Sequence, residues 1–210
     1  KSLVTHDGTG DRFGMLETVR QYASERLAAA GETTAVRERH LACYLALAEL
    51  ARPQLFGAGQ GKWLATLDRE RENLLAAHAW CDECTEGAER GLRLVWLTKL
   101  YWMHRGLLRL GHRLTAEALA RPVAQMRTLP RCRGLFDLGQ LSILIGAPGE
   151  AERHLGASLD LARELNDAGR IAATLQPLGM VHLALGNLVE ARRLIDEAVT
   201  LAQSMADPRD

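Results

Sequence analysis

Residues 138–162 read LGQLSILIGAPGEAERHLGASLDLA, and residues 178–202 read LGMVHLALGNLVEARRLIDEAVTLA. At an offset of forty residues, Leu138-Gly139 meets Leu178-Gly179, Gly146 meets Gly186 and Glu150-Ala151 meets Glu190-Ala191. Leu155 then meets Ile195, and Leu161-Ala162 meets Leu201-Ala202. Apolar residues recur at helical spacing on both sides of the second glycine, which predicts two antiparallel helices joined by a tight turn. The first glycine lets the two helices approach closely, and the second lets the chain turn. The small alanine packs back into the partner helix, with Leu155 or Ile195 filling the groove behind it. A unit of this kind cannot bury its apolar face alone, so neighbours must stack on it.

This skeleton resembles a tetratricopeptide-like helix hairpin. A weaker copy lies around Arg105-Gly106 and Glu117-Ala118, where the spacing is off by several residues. Working outward, helical periodicity covers 88–104, 111–127, 131–145, 148–165, 168–185 and 187–205. Upstream, Leu16, Val19, Ala23 and Leu27 form a stripe that stops at Gly31, and a second helix covers 36–50, with Pro53 just beyond. Trp63 to Trp80 reads as one further helix. Only the first fifteen residues depart from this pattern. They place two short apolar runs around Asp7-Gly8-Thr9-Gly10, a turn-forming cluster that predicts a β-hairpin. The expected fold class is therefore all-α: an α-solenoid of antiparallel hairpins with a short N-terminal β-hairpin. The expected domains are that hairpin (1–15), a helical linker (16–85) and helical repeats (86–210).

Composition agrees. Of 210 residues 47% are hydrophobic but only 5% aromatic, which favours helices over sheets. The formal charge is zero, so no global field draws the chain to nucleic acid or membrane. No apolar run reaches the roughly 20 residues that span a bilayer. The four cysteines form no secreted disulfide framework, and a cytoplasmic setting is expected. Charge is nevertheless uneven. Lys99 to Arg133 holds eight Lys/Arg and one acid, Glu117. That stretch is either a solvated or interdomain face, or a surface for a phosphate-rich partner, though it lacks a nucleic-acid motif and regularly interleaved aromatics.

Four patterns carry chemical potential. FGAGQGKWL (56–64) ends in Gly-Lys, but a phosphate loop would need glycine at Phe56 and a hydroxyl at Trp63. It reads instead as a glycine-bearing link between helices. His78-x-x-Cys81-x-x-Cys84 offers three ligands where structural zinc wants four, and 78 and 84 diverge around the helix axis. His40 and Cys43 could complete it only if their helix packs alongside, so buried or helix-end thiols are the expected reading and no metal or cofactor is assigned. Asp68, Glu70 and Glu72 alternate with Arg69 and Arg71, which suggests a solvated helix face rather than an acid/base pair. No nucleophile signature is present, and no catalytic residue is assigned. The last group is Trp96, Tyr101, Trp102, Arg105 and Arg109. It either lines a concave face offering stacking and charge to a peptide or anionic ligand, or supplies hairpin core.

RFGMLETVRQYASERL (12–27) resembles the segment that follows the winged helix in bacterial STAND-type signalling ATPases. RERHLACYLALAELARPQLFGAGQGKWLATLDRERENLLAAHAW (37–80) resembles that family's helical linker, through its Arg-x-Arg-His, Trp-Leu and Glu-x-x-Asn-Leu elements. Tyr101–Leu119 is similar to the next helix pair, and 132–205 to the tetratricopeptide-like arm. Leu75 and His78 depart from the pattern, as do the cysteines after Trp80. The resemblance implies an NB-ARC-type ATPase and a winged helix ahead of a helical sensor, often with a DNA-binding domain of the LuxR or a related type at one end. Lys1–Met15 would be wing strands of a fragment that opens on Lys1, and the nucleotide-binding residues would lie upstream. The implied function is non-catalytic: a sensor or protein-interaction arm of a transcription-controlling regulator. It would bind a protein partner, its own ATPase domain or a small effector, with no membrane and no DNA through this segment. The alternative is a DNA-binding module acting through the wing and the basic stretch 99–133.

Overall fold

The computed structural model describes residues 4–6 and 13–206. It divides into two compact units, 1–43 and 44–210. In the first, strands β1 (Val4–His6) and β2 (Phe13–Met15) pair antiparallel in the register Val4↔Met15, Thr5↔Gly14, His6↔Phe13. The expected turn at Asp7–Gly10 lies outside the described residues. Helix α1 (Glu17–Ala29) follows, and Val19, Ala23 and Leu27 form its half-buried stripe. It ends at Gly31, whose φ of 72° is the left-handed conformation that glycine adopts without a Cβ penalty. Helix α2 (Thr33–Gln54) begins in this unit and runs into the next.

The second unit continues with α3 (Gln60–Arg69), α4 (Arg71–Trp80), α5 (Gly87–His104) and α6 (Leu108–Ala120). A 3₁₀ turn (Pro122–Gln125) leads to α7 (Leu129–Leu144), α8 (Pro148–Glu164), α9 (Ala168–Ala184) and α10 (Leu188–Ala206). Three consecutive hairpins result: α5/α6, α7/α8 and α9/α10. The first helix of each packs on the first helix of the next, α5 on α7 and α7 on α9. The fold is thus all-α, a stack of helix hairpins with one small strand pair.

The turns carry the repeat. Gly106, Gly146 and Gly186 each have positive φ (67°, 78° and 81°), and each lies forty residues from the next. At every one the following N–H reaches back to close the helix: Leu107 to the Trp102 carbonyl (2.8 Å), Ala147 to Ser142 (2.9 Å) and Asn187 to His182 (2.8 Å). The first hairpin is therefore in register with the other two. The matching glycine was Gly106; Glu117-Ala118 was the wrong landmark.

Close approach is achieved in one way in the last two hairpins and in another in the first. A Cβ on Gly139 would sit 2.6 Å from Leu155 Cγ, and one on Gly179 would sit 3.0 Å from Ile195 Cγ1. In the first hairpin Lys99 holds the equivalent place, and the glycine has moved to the second helix. There a Cβ on Gly111 would meet Trp102 Cβ at 2.9 Å. A large Trp102 is accommodated because its partner carries no side chain.

Three helix boundaries differ from the sequence reading, the first being the end of α2, which runs past Leu50 to Gln54 and takes Pro53 into its last turn. The helix expected over 63–80 breaks at Glu70 (φ −99°, ψ 6°), whose carboxylate accepts from Tyr44 Oη at 2.8 Å and from Asn73 Nδ2 at 2.7 Å. The helix expected to reach 127 stops at Ala120, because Arg121 precedes Pro122 and takes an extended ψ of 137°.

Candidate functional site

The helical spacing i, i+3, i+4, i+7 places Arg133, Phe136, Asp137 and Gln140 along one edge of α7. Trp96 and Lys99 are the facing pair on α5. Lys99 Nζ donates to Asp137 Oδ1 at 2.6 Å and also to Gln140 Oε1, and it lies 5.4 Å from the centre of the Phe136 ring. This ion pair is buried. Asp137 Oδ2 is buried as well and has no hydrogen-bond partner. Burial pushes the Asp137 carboxyl above its ordinary range, and Lys99, Arg52 and Arg170 oppose that shift.

Arg52, from α2, lays its guanidinium 4.0 Å from the centre of the Trp96 ring and donates to the Trp96 carbonyl. Arg133 lies over the same ring at 5.5 Å, and its Nε is buried without a partner. Desolvation pulls the Arg52 pKa down; Asp137 works against this, and Arg133 and Arg170 add to it. Two guanidiniums, Arg52 and Arg170, and the Lys99 ammonium thus stand within electrostatic reach of Asp137, and Arg133 stands within reach of Arg52. Beside them opens a cleft of about 240 Å³ lined by Glu89, Leu92, Arg93, Trp96, Pro130 and Arg133. A second recess of about 210 Å³ shares Glu89, Leu92 and Pro130 with it and continues toward Met126 and Thr128.

The five residues singled out in sequence do not form one face. Trp96 is half-buried beneath the two arginines. Tyr101 and Trp102 are buried, with ring centres 4.6 Å apart, and Trp102 Nε1 donates to Thr98 Oγ1 at 3.1 Å. Their burial removes them from any exposed surface. Arg105 is bound to Asp68 (2.5 Å), which also accepts from Tyr101 Oη at 3.0 Å. Asp68 and Glu70 are therefore half-buried anchors, while Arg69 and Glu72 are the solvated members of that charge run. Arg109 is exposed, beside a shallow apolar depression of about 420 Å³ that includes Leu108, Leu144 and Ile145. Sequence reasoning missed Arg52 and Arg133, which lie over Trp96, and Asp137 and Arg170, which stand within electrostatic reach of Arg52.

The basic stretch is largely neutralised internally. Lys99 pairs with Asp137, Arg105 with Asp68, Arg121 with Asp82 and Arg127 with Glu164. Arg113 lies 3.9 Å from Glu117, and Arg131 donates to the Ala124 carbonyl at 2.9 Å.

His78 is buried, and its Nε2 lies 3.0 Å from the Leu114 carbonyl. Burial, reinforced by the Arg121 charge, pushes its pKa down to about 4, and the Leu114 bond and Asp82 only partly offset this. The ring is neutral at pH 7, so its approach to Glu117 at 3.8 Å is not an ion pair. Burial pushes the Cys81 thiol up to about 12, and it donates to the Ala77 carbonyl at 3.4 Å. Among the described residues no group of three His, Cys, Asp or Glu is arranged to hold a metal ion. Among them, too, no helix is long and apolar enough to cross a membrane.

No family model matches the chain. Over 99% of its length it is 30% identical to a protein of Mycobacterium tuberculosis (strain ATCC 25618 / H37Rv) provisionally named an HTH-type transcriptional regulator. The identity and coverage are the same for a protein of that provisional name from Mycobacterium bovis (strain ATCC BAA-935 / AF2122/97). The chain is similar to part of a transcriptional regulator. It spans 24% of the length of these relatives.

Proposed function

We propose that this chain is the non-catalytic sensor and interaction arm of a multidomain STAND-type regulator of transcription, built on tetratricopeptide-like repeats. The observation that carries the reading is the in-register stack of three hairpins, with the partly buried Arg52, Arg133 and Arg170 gathered near the buried Lys99–Asp137 pair. Similarity along nearly the whole chain to a segment of much longer transcriptional regulators supports it. In this reading the arm binds one state of the regulator, or a partner, more tightly than another and so shifts an on/off equilibrium.

The reading is tested in the full-length protein by deleting residues 86–210 and following nucleotide hydrolysis and transcript output together. Retained hydrolysis with lost control of output is expected; unchanged control would overturn it. The DNA-binding alternative is disfavoured by the internal pairing of the basic stretch. It would be revived by salt-dependent binding of the isolated chain to duplex DNA near physiological ionic strength.

A further inference from the structure

We propose that the edge formed by α2, α5, α7 and α9 is a docking site for an acidic segment of a protein partner, with carboxylates received by Arg133 and Arg170 and a neighbouring apolar side chain entering the cleft over Leu92, Trp96 and Pro130. The inference rests on the interaction-arm reading and deepens it by stating what the arm recognises.

Charge complementarity points to this partner. Arg52, Lys99 and Arg170 stand within electrostatic reach of Asp137, and Lys99 already occupies one of its oxygens; Arg133 acts on Arg52, and Glu89 is the one carboxylate among the residues lining the adjoining cleft. Arg93, at the cleft's rim, is committed to Glu49 at 2.6 Å. Among the described residues neither Arg133 nor Arg170 has a carboxylate within bonding distance. Partly buried cations held close together without counter-charges raise the free energy of the empty site, and an incoming anion relieves that repulsion.

Hydrogen bonding points the same way. Arg133 Nε is a buried donor without an acceptor. Guanidinium presents its donors in a fork that fits a carboxylate in two-point fashion, which a flexible ammonium does not. Asp137 Oδ2, on the next turn of α7, is likewise a buried atom without a hydrogen-bond partner.

The occupied Trp96 ring separates a peptide from a nucleic acid. Single-stranded nucleic acid is held by open aromatic faces on which bases stack. The Trp96 ring already carries two guanidiniums, at 4.0 and 5.5 Å. What remains beside the cations is a recess of side-chain size whose apolar lining is Leu92, Trp96 and Pro130, with Glu89 and Arg93 lining it as well. A chain alternating carboxylates with an aliphatic residue fits both features.

The test is fluorescence anisotropy of the whole chain with a fluorescein-labelled peptide of four glutamates followed by two leucines. Three competitors are added separately: a lysine-for-glutamate version of the peptide, free citrate, and a single-stranded oligonucleotide of equal charge. Saturable binding that the lysine peptide does not compete is expected, weakened about tenfold by each of Arg133→Gln and Arg170→Gln. Arg192→Gln, on α10, should leave it unchanged. Arg170 makes no side-chain hydrogen bond among the described residues, so its replacement tests the site without loosening the fold. Absence of saturable binding, indifference to both substitutions, or tighter binding of the oligonucleotide or of citrate would overturn the proposal. If the arm still controls output in the full-length protein while the peptide fails to bind, the docking site alone falls.

Discussion

The paired glycines of the hairpins allow one substitution to be read against its own copies. Gly139→Ala adds a methyl 2.6 Å from Leu155 Cγ, 2.9 Å from Leu155 Cδ2 and 3.2 Å from the Leu155 backbone nitrogen. Leu155 is fully buried, and part of the clash is with backbone, so little can move aside. Overpacking of this kind costs about 1–3 kcal/mol. Against it stands about 1 kcal/mol of intrinsic gain from alanine over glycine inside a helix. Gly179→Ala meets Ile195 at 3.0 Å, but Ile195 is 37% exposed and can rotate away, so the two effects nearly cancel. Gly156→Ala, on α8, meets nothing within 4 Å and should keep the whole propensity gain. The expected order of stability is Gly156→Ala, then Gly179→Ala, then Gly139→Ala. The outermost two should be separated by about 1–3 kcal/mol, or several degrees in melting midpoint for a chain of this size. Thermal unfolding followed by circular dichroism at 222 nm measures the order directly. A Gly139→Ala chain that melts at or above Gly156→Ala would show that α7 and α8 are not held at the separation described.

Further outcomes follow from the buried polar groups and the turns. The folded His78 pKa of about 4 lies below the unfolded value of 6.5, so the unfolded chain gains its proton first as the medium is acidified. Stability should fall as pH drops from about 6.5 toward 4, by about 2 kcal/mol at pH 5 from this group. His78 ring signals in a nuclear magnetic resonance titration should stay unprotonated down to about pH 5, and a midpoint near 6.5 would refute the assignment. Asp137→Ala leaves Lys99 buried without its counter-charge and should cost about 3–5 kcal/mol in urea unfolding, whereas Lys99→Met with Asp137→Leu should recover most of the loss. At the α7–α8 turn, Gly146→Ala forces a Cβ into φ 78° and should destabilise by about 1–2 kcal/mol, although nothing stands within 4 Å of the new methyl.

The hairpins at 138–202 were legible because their small residues repeat at identical positions on the chain. The hairpin at 87–120 was obscured by an exchange of sizes. Trp102 stands where Ser142 stands one unit later, and Gly111 where Ala151 does, so the packing is conserved while the letters are not. The break at Glu70 left no sequence signal, since it depends on Tyr44 arriving from another helix. The candidate site was legible only at Trp96. Residues 96 and 102 differ by about 240° around a helix, so a cluster of neighbouring numbers was not a face. Arg52 and Arg133 are remote in sequence, and no pattern on a single helix announces them.

The side-chain links between helices span similar intervals: 44 residues from Arg52 to Trp96, 38 from Lys99 to Asp137, 37 from Asp68 to Arg105 and 34 from Arg163 to Glu197. A chain wired this way does not wait for its far end. Each hairpin can lock onto its predecessor as soon as it leaves the ribosome, so the protein has low contact order and is suited to folding in the direction of synthesis.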